Sequence, residues 1–481
     1  LTITYLIALP RRSKPPKQGA PPPLLLITST PHSTMLIKTK SLNHLIRQKP
    51  NASLLLFIAT IAAVVIANSP LAESYAQLLD YPIDIRFNDF LFFPHHGEPM
   101  SLIAFVNDAL MAIFFFVVGM EIKQEMLVGE LSSVRKALLP VIAACGGMIV
   151  PVLVYLAVCH EGPAAHGAAI PMATDIAFAL AALGALGNRV PTSLKVFLTA
   201  LAVVDDIGGI IVIAIFYSSH IALTPLLISA VILLLLYLGG RLLNIHNVLF
   251  YYIGGFIVWY MFIESGIHST IAGVLVAFTV PARPNVKLDT FVESMREQLL
   301  LLDFSQVKHS RRASVLSPGQ VLILNNIHDL GSKTISPLQR IVEKLNPMVS
   351  YFILPLFAFV NAGVRFEGFD PSTLIGIPLA IFLGLFVGKA VGIFLFSYLA
   401  AKARLVSISP DITKSSLFGV SILGGIGFTV SLFIANLSFV NVPDIGMTLL
   451  NEAKLGIFVG SIVSGIVGYF FLKRHLPMHK A

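Results

Sequence analysis

The chain has 481 residues, of which 56% are hydrophobic and only 12% charged, with a mean hydropathy of +0.84. A soluble protein of this length needs a far larger charged surface, and a β-barrel would show short alternating segments rather than helix-length apolar runs. The composition therefore selects a polytopic all-α membrane protein, and the formal charge of +8 is read as a topology signal, not as a nucleic-acid footprint.

Residues 1–50 contain no Asp or Glu and read as a basic cytoplasmic tail. The first methionine, Met35, stands just before the first apolar run, so 1–34 read as untranslated upstream sequence, with an acid-poor transit peptide as the alternative. Twelve spans are predicted, at 52–68, 102–124, 137–159, 170–187, 193–218, 223–240, 248–264, 267–281, 346–363, 373–400, 415–438 and 453–472. The first eight fill 51–281, the last four 346–474, and 475–481 form a second tail.

Between the first two spans, PIDIRFNDFLFFPHHGEPMS at 82–101 alternates around Pro94 and Gly97 and predicts an extracytoplasmic β-hairpin. His95 and His96 at its tip read as a solvated turn rather than a metal site. Cys145 and Cys159 are the only cysteines; on one helix they lie about 21 Å apart, beyond disulfide reach, and read as buried small hydrophobes. No Cys/His ligand spacing occurs and no cofactor is expected. Residues 282–345 are the one long hydrophilic stretch, read as a cytoplasmic loop with an amphipathic helix near 289–302; RRAS at 311–314 reads as part of that basic loop.

An even number of spans puts both termini on one side. Of the 33 Lys and Arg, only Arg86, Arg365 and Lys454 fall opposite and Lys389 falls within a span. The rest lie with the termini, which are cytoplasmic by the positive-inside rule.

The chemistry concentrates in few residues. ALAVVDDIGGI (200–210) sets Asp205 and Asp206 side by side in an uncharged apolar run, where each carboxylate near the bilayer centre costs roughly 2.5–3.5 kcal/mol. An ion pair that fixes packing would explain one of them. Lys389 cannot neutralise both, and neighbours on a helix point about 100° apart. Asp175 lies in span four, Asp108, Glu121, Lys123 and Glu125 in or at the end of span two, and His268 opens span eight.

Two spans carry breakers. IPMATDIAFAL places Pro171 before Thr174 and Asp175, and LGGIGFTVSLF holds Gly424, Gly425 and Gly427. Such breaks free backbone carbonyls and expose half-helix ends, tolerable only where protein or a water-filled cavity covers them. The triplets 137–218 and 373–472 each read helix, interrupted helix, helix, the repeat signature of a secondary transporter with its site at the breaks.

These residues resemble the NhaA-type sodium/proton antiporters. The matching stretches are VNDALMAIFFFVVGMEIKQE, PVIAACGGMIVP, ATDIAFAL, VPTSLKVFLTALAVVDDIGGI, SGIHSTIAGV, YFILPLFAFVNAGV, GKAVGIF and GGIGFTVSLFIANL, spread over about 52–474. The resemblance implies inverted-topology repeats and two interrupted helices crossing at mid-membrane. It implies electrogenic, pH-regulated exchange of cytoplasmic sodium or lithium for external protons in the bacterial inner membrane. It makes Asp206 the principal, transient sodium ligand and Asp205 its partner, paired with Lys389, and puts Thr174 and Asp175 at the crossing. Glu121, Glu125 and His268 fall at pH-sensing positions. The hairpin at 82–101 matches the family's dimer contact, so a homodimer in the lipid bilayer is expected. Where the family has acidic and histidine positions before span nine, this chain reads IVEKLNPM, with Glu343 one place off and Asn346 at the expected histidine. Gln124 replaces a basic residue, and the 282–345 loop is longer.

A carboxylate in a low-dielectric crevice, next to another, gains proton affinity. It then holds either a proton or a hard cation that prefers oxygen ligands, and such mutual exclusion at one alternately exposed site is antiport. Lys389 would stabilise the cation-free state, and Asp175 and Lys389 would balance the half-helix ends. The rivals are an intramembrane aspartyl protease, which needs its two Asp on different helices, and a channel or a proton-coupled carrier of another small solute.

Overall fold

In lipid a backbone must satisfy its own hydrogen bonds, so long apolar runs become helices. The computed structural model describes residues 52–87, 90–91, 94–95, 98–217, 222–301, 316–365, 374–406, 408–440 and 442–476. The expected tail at 1–50, Met35, RRAS and His96 at the hairpin tip lie outside them.

Among the described residues, eight helices are long and apolar enough to cross a membrane, or up to eleven if each of three bent pairs counts as one span. The eight are Leu102–Val128, Val134–Val158, Thr192–Phe216, Leu223–Arg241, Val248–Ser265, Pro337–Asn361, Ile377–Lys402 and Gly446–His475. The bent pairs are Ala52–Ala67 with Ala72–Leu79, Gly162–Met172 with Ile176–Gly184, and Lys414–Leu423 with Phe428–Phe439, bent by 117°, 44° and 46°. Span eight of the sequence reading is the shorter apolar helix Ser269–Thr279. The protein is a multi-pass helical membrane protein.

Three of the long helices contain a π turn, at Val106–Leu110, Val349–Ile353 and Gly384–Gly388. A π turn shifts the side chains that follow it by a fraction of a turn, and Lys389 comes directly after the third. Its helix runs against Val134–Val158 at a spacing only glycine allows. A Cβ on Gly392 would sit 2.2 Å from the Gly146 carbonyl oxygen, and one on Gly388 would sit 2.8 Å from Pro151 Cα. Small residues bring the backbones together and leave the Lys389 stem in the bundle.

The segment expected as one hairpin is two small sheets. Pro82–Ile83 pairs antiparallel with Glu98–Ser101, which also pairs with Pro94–His95, while Arg86–Phe87 pairs separately with Phe90–Leu91. In the hydrophilic stretch, the helix expected near 289–302 is Leu288–Leu301, followed by an unforeseen helix, Pro318–Thr334. The next helix begins at Pro337, not 346, because Ser336 and Gln339 form a capping box with proline in the first turn. Gly446–His475 likewise starts earlier than 453. Lys454, in the third turn of that helix, is 8% exposed, with Nζ 3.4 Å from the Gly363 carbonyl oxygen.

Candidate functional site

The site forms where the two bends meet. Pro171 ends the Gly162–Met172 helical segment, and Ala173 to Asp175 continue as extended chain before Ile176–Gly184 begins. Asp175 is the N-cap of that helix: Oδ1 accepts from Phe178 N at 3.1 Å. Its other oxygen accepts from Thr429 N at 3.0 Å and Thr429 Oγ1 at 2.5 Å, in the first turn of Phe428–Phe439. One buried carboxylate thus caps two helices, whose N-terminal partial charges favour an anion between them.

The glycines make the approach possible. Asp175 N donates to Ile426 O at 2.6 Å, and Thr174 Oγ1 lies 2.9 Å from the Gly424 carbonyl oxygen. A Cβ on Gly425 would sit 2.3 Å from the Leu385 carbonyl oxygen, and one on Gly427 would sit 2.9 Å from Leu385 Cδ2 and 3.1 Å from the Ala173 carbonyl oxygen. Ser461, on Gly446–His475, accepts from Phe428 N at 3.2 Å.

Asp205 and Asp206 sit midway along Thr192–Phe216, both buried, and as helix neighbours leave the axis about 100° apart. Lys389, 0% exposed, forms an ion pair with Asp205 Oδ2 and donates to Thr174 Oγ1 at 2.7 Å. Thr174 Oγ1 is also 2.6 Å from Asp205 Oδ2. With one hydroxyl hydrogen, it serves either Asp205 or the Gly424 carbonyl at a given moment. Asp205 Oδ1 is buried and has no hydrogen-bond partner among the described residues. Asp206 is 7% exposed and its carboxylate has neither hydrogen bond nor ion pair among them. The charges of Asp205, Asp175 and Glu121 act on it, opposed by Lys389. Among the described residues no three acidic or histidine groups are arranged to hold a metal ion; the oxygens left without a hydrogen bond in this conformer are Asp205 Oδ1 and the Asp206 carboxylate.

Thr174, Asp175, Asp205, Asp206, Lys389 and the three glycines are therefore gathered in one place. The pH-sensing candidates are dispersed. Glu121 accepts from Asn346 Nδ2 at 3.2 Å, and Glu125 accepts from Glu130 N at 2.9 Å. His268 is the N-cap of Ser269–Thr279, its Nε2 2.6 Å from Tyr217 O, whereas Lys123 binds Phe278 O and Val280 O at that helix's other end. An eleven-residue helix separates those ends by about 16 Å. Sequence reasoning passed over Thr429 and Ser461. A hydroxyl two residues after Gly427 was the legible signal for the first, and nothing in sequence pointed to the second.

Buried, partly unsatisfied carboxylates at the junction of two bent helix pairs define an ion-handling multi-pass membrane protein. The family model described as Na+/H+ antiporter 1 matches residues 43–472. The chain is 65% identical to the Na(+)/H(+) antiporter NhaA of Parabacteroides distasonis over 93% of this chain and 98% of that protein. It is 52% identical to that of Porphyromonas gingivalis (92% and 97%) and 50% identical to that of Bacteroides thetaiotaomicron (89% and 96%). The chain belongs to the Na+/H+ antiporter 1 family, a family of transporters and not of enzymes.

Proposed function

We propose that the protein exchanges cytoplasmic sodium or lithium for external protons at the Asp205–Asp206 pair. The observation that carries this reading is the Asp206 carboxylate, buried without a partner beside an Asp205 already neutralised by Lys389. Such a group is stable only with a proton or a cation on it, and the two exclude each other. When sodium enters between the acids, Asp206 gives up its proton and the Lys389–Asp205 pair opens. If Lys389 then also releases a proton, two leave for one cation and the cycle is electrogenic. Asp175 holds the two half-helices, and Thr174 trades its hydrogen bond between Asp205 and Gly424.

The bent pairs are interrupted spans crossing at mid-membrane, in inverted repeats 137–218 and 373–472 of a twelve-span bundle. Residues 282–345 and both tails lie on the cytoplasmic side of a bacterial inner membrane. Glu121, Glu125 and His268 set the pH response, and residues 82–101 join two copies.

The test is proton movement in everted vesicles on adding sodium, lithium or potassium at neutral and alkaline pH. Sodium and lithium should drive it, and Asp206→Asn should abolish it at normal expression and insertion. Near-normal exchange in that variant removes the reading, and a solute carrier would give no cation-driven signal.

A further inference from the structure

Three buried asparagines meet away from the carboxylates. Asn361 Oδ1 accepts from Asn107 Nδ2 at 3.2 Å and from Asn436 Nδ2 at 2.8 Å, and Asn361 Nδ2 donates to Asn107 Oδ1 at 2.8 Å and to Phe357 O at 3.0 Å. Asn107 lies in the π turn of Leu102–Val128, Asn361 at the end of Pro337–Asn361, and Asn436 in Phe428–Phe439.

Those helices belong to two packing groups. Val134–Val158, Thr192–Phe216, Ile377–Lys402 and Gly446–His475 pack with the two bent pairs that carry the acids and Lys389; Leu102–Val128, Val248–Ser265, Ser269–Thr279 and Pro337–Asn361 pack around Leu102–Val128 and Ser269–Thr279. Asn107 and Asn361 sit in the second group and Asn436 in the first. Their junction is one of the places where the groups touch, Leu354–Asn361 against Phe428–Phe439.

We propose that Asn361 and Asn436 form a latch across the boundary between the site-bearing bundle and the rest of the protein, closed in this conformer and open in another. The proposal rests on the exchange reading above, since alternating access requires one bundle to move against the other. Asn361 keeps three of its bonds, to Asn107 and Phe357, when Asn436 leaves. Asn436 has one bond to lose, and it lies two turns along the half-helix whose first turn holds Asp175. Release of the latch therefore frees the element that carries Thr429 without unmaking the Asn107–Asn361 pair. Asn436 is a positioning residue, not a cation ligand.

Two measurements test this in reconstituted protein. In a chain with Cys145→Ser and Cys159→Ser, the pair Asn361→Cys and Asn436→Cys is bridged with Cd2+, with loss of maleimide labelling as the sign of bridging. On adding Cd2+, exchange should stop in the double variant and return with chelator, while Cd2+ leaves the rate of each single variant unchanged. Continued exchange in the bridged protein overturns the latch. Independently, Asn436→Leu should shift the ratio of the half-maximal sodium concentrations at the two membrane faces by about fivefold, the worth of one ordinary hydrogen bond. A variant that melts lower but leaves that ratio unchanged assigns Asn436 a structural role only and overturns the proposal. Sodium protection against melting, lost in Asp206→Asn, reads the ion site alone, so failure of the latch is distinguishable from failure of the exchange reading.

Discussion

Lys389 illustrates how one side chain holds two opposed demands. Fully buried, it is tolerable only because Asp205 Oδ2 and Thr174 Oγ1 surround its ammonium. A buried pair adds little net stability, but removing one partner strands the other charge, at a cost of roughly 3–5 kcal/mol. Lys389→Ala should therefore lower the melting temperature, and Asp205→Asn combined with Lys389→Gln should recover part of the loss. Asp206 stays free in that double variant, which should retain some exchange. A melting series in detergent on the two singles and the double checks this. Losses that simply add would show that the two residues are uncoupled and that Lys389 acts on the half-helix ends alone.

The bent helices depend on glycine through contact rather than through unusual dihedrals. Gly425 lies where a methyl group would meet the Leu385 carbonyl oxygen at 2.3 Å, a backbone atom that cannot rotate away. Gly425→Ala should push Phe428–Phe439 off the π-turned helix that carries Lys389. Overpacking of this kind costs about 1–3 kcal/mol. Melting should fall accordingly, and exchange should fall further, because Asp175 loses its grip on Thr429. Gly209, on the Asp205–Asp206 helix, is the internal control: a Cβ there meets nothing within 4 Å. Gly209→Ala should melt at or slightly above the parent, because alanine favours the helix, and a drop as large as that of Gly425→Ala would show that contact with Leu385 is not the cause.

At the scale of the whole molecule, the strand segment at 82–101 is proposed to join two copies. Pro82–Ile83 and Glu98–Ser101 are paired directly before the Leu102–Val128 helix. Deleting residues 84–98 should give monomers that still exchange ions, with light scattering and cross-linking as the readouts. An unchanged dimer would assign the segment another role, and lost exchange would tie it to the bundle.

The membrane class, most of the span positions and the acids were legible in sequence because lipid penalises every charge and every unpaired backbone group, and the exceptions therefore stand out. Asp205, Asp206, Asp175 and Lys389 stand out in this way, and so do the glycines at 424, 425 and 427. Span ends were less legible: the helix at Pro337 starts on a local capping box, and Lys454 belongs to a helix that extends past its apolar core. The Lys389–Asp205 pair was expected from the family resemblance, but only tertiary structure decided that Thr174 joins it, that Asp175 caps two helices, and that three asparagines from distant parts of the chain share one junction. Hydropathy is a property of each segment by itself and can be read along the chain. Which buried polar group satisfies which other is set by helix rotation, by π turns and by the close approaches that glycine permits, and none of these leaves a periodic trace in the sequence.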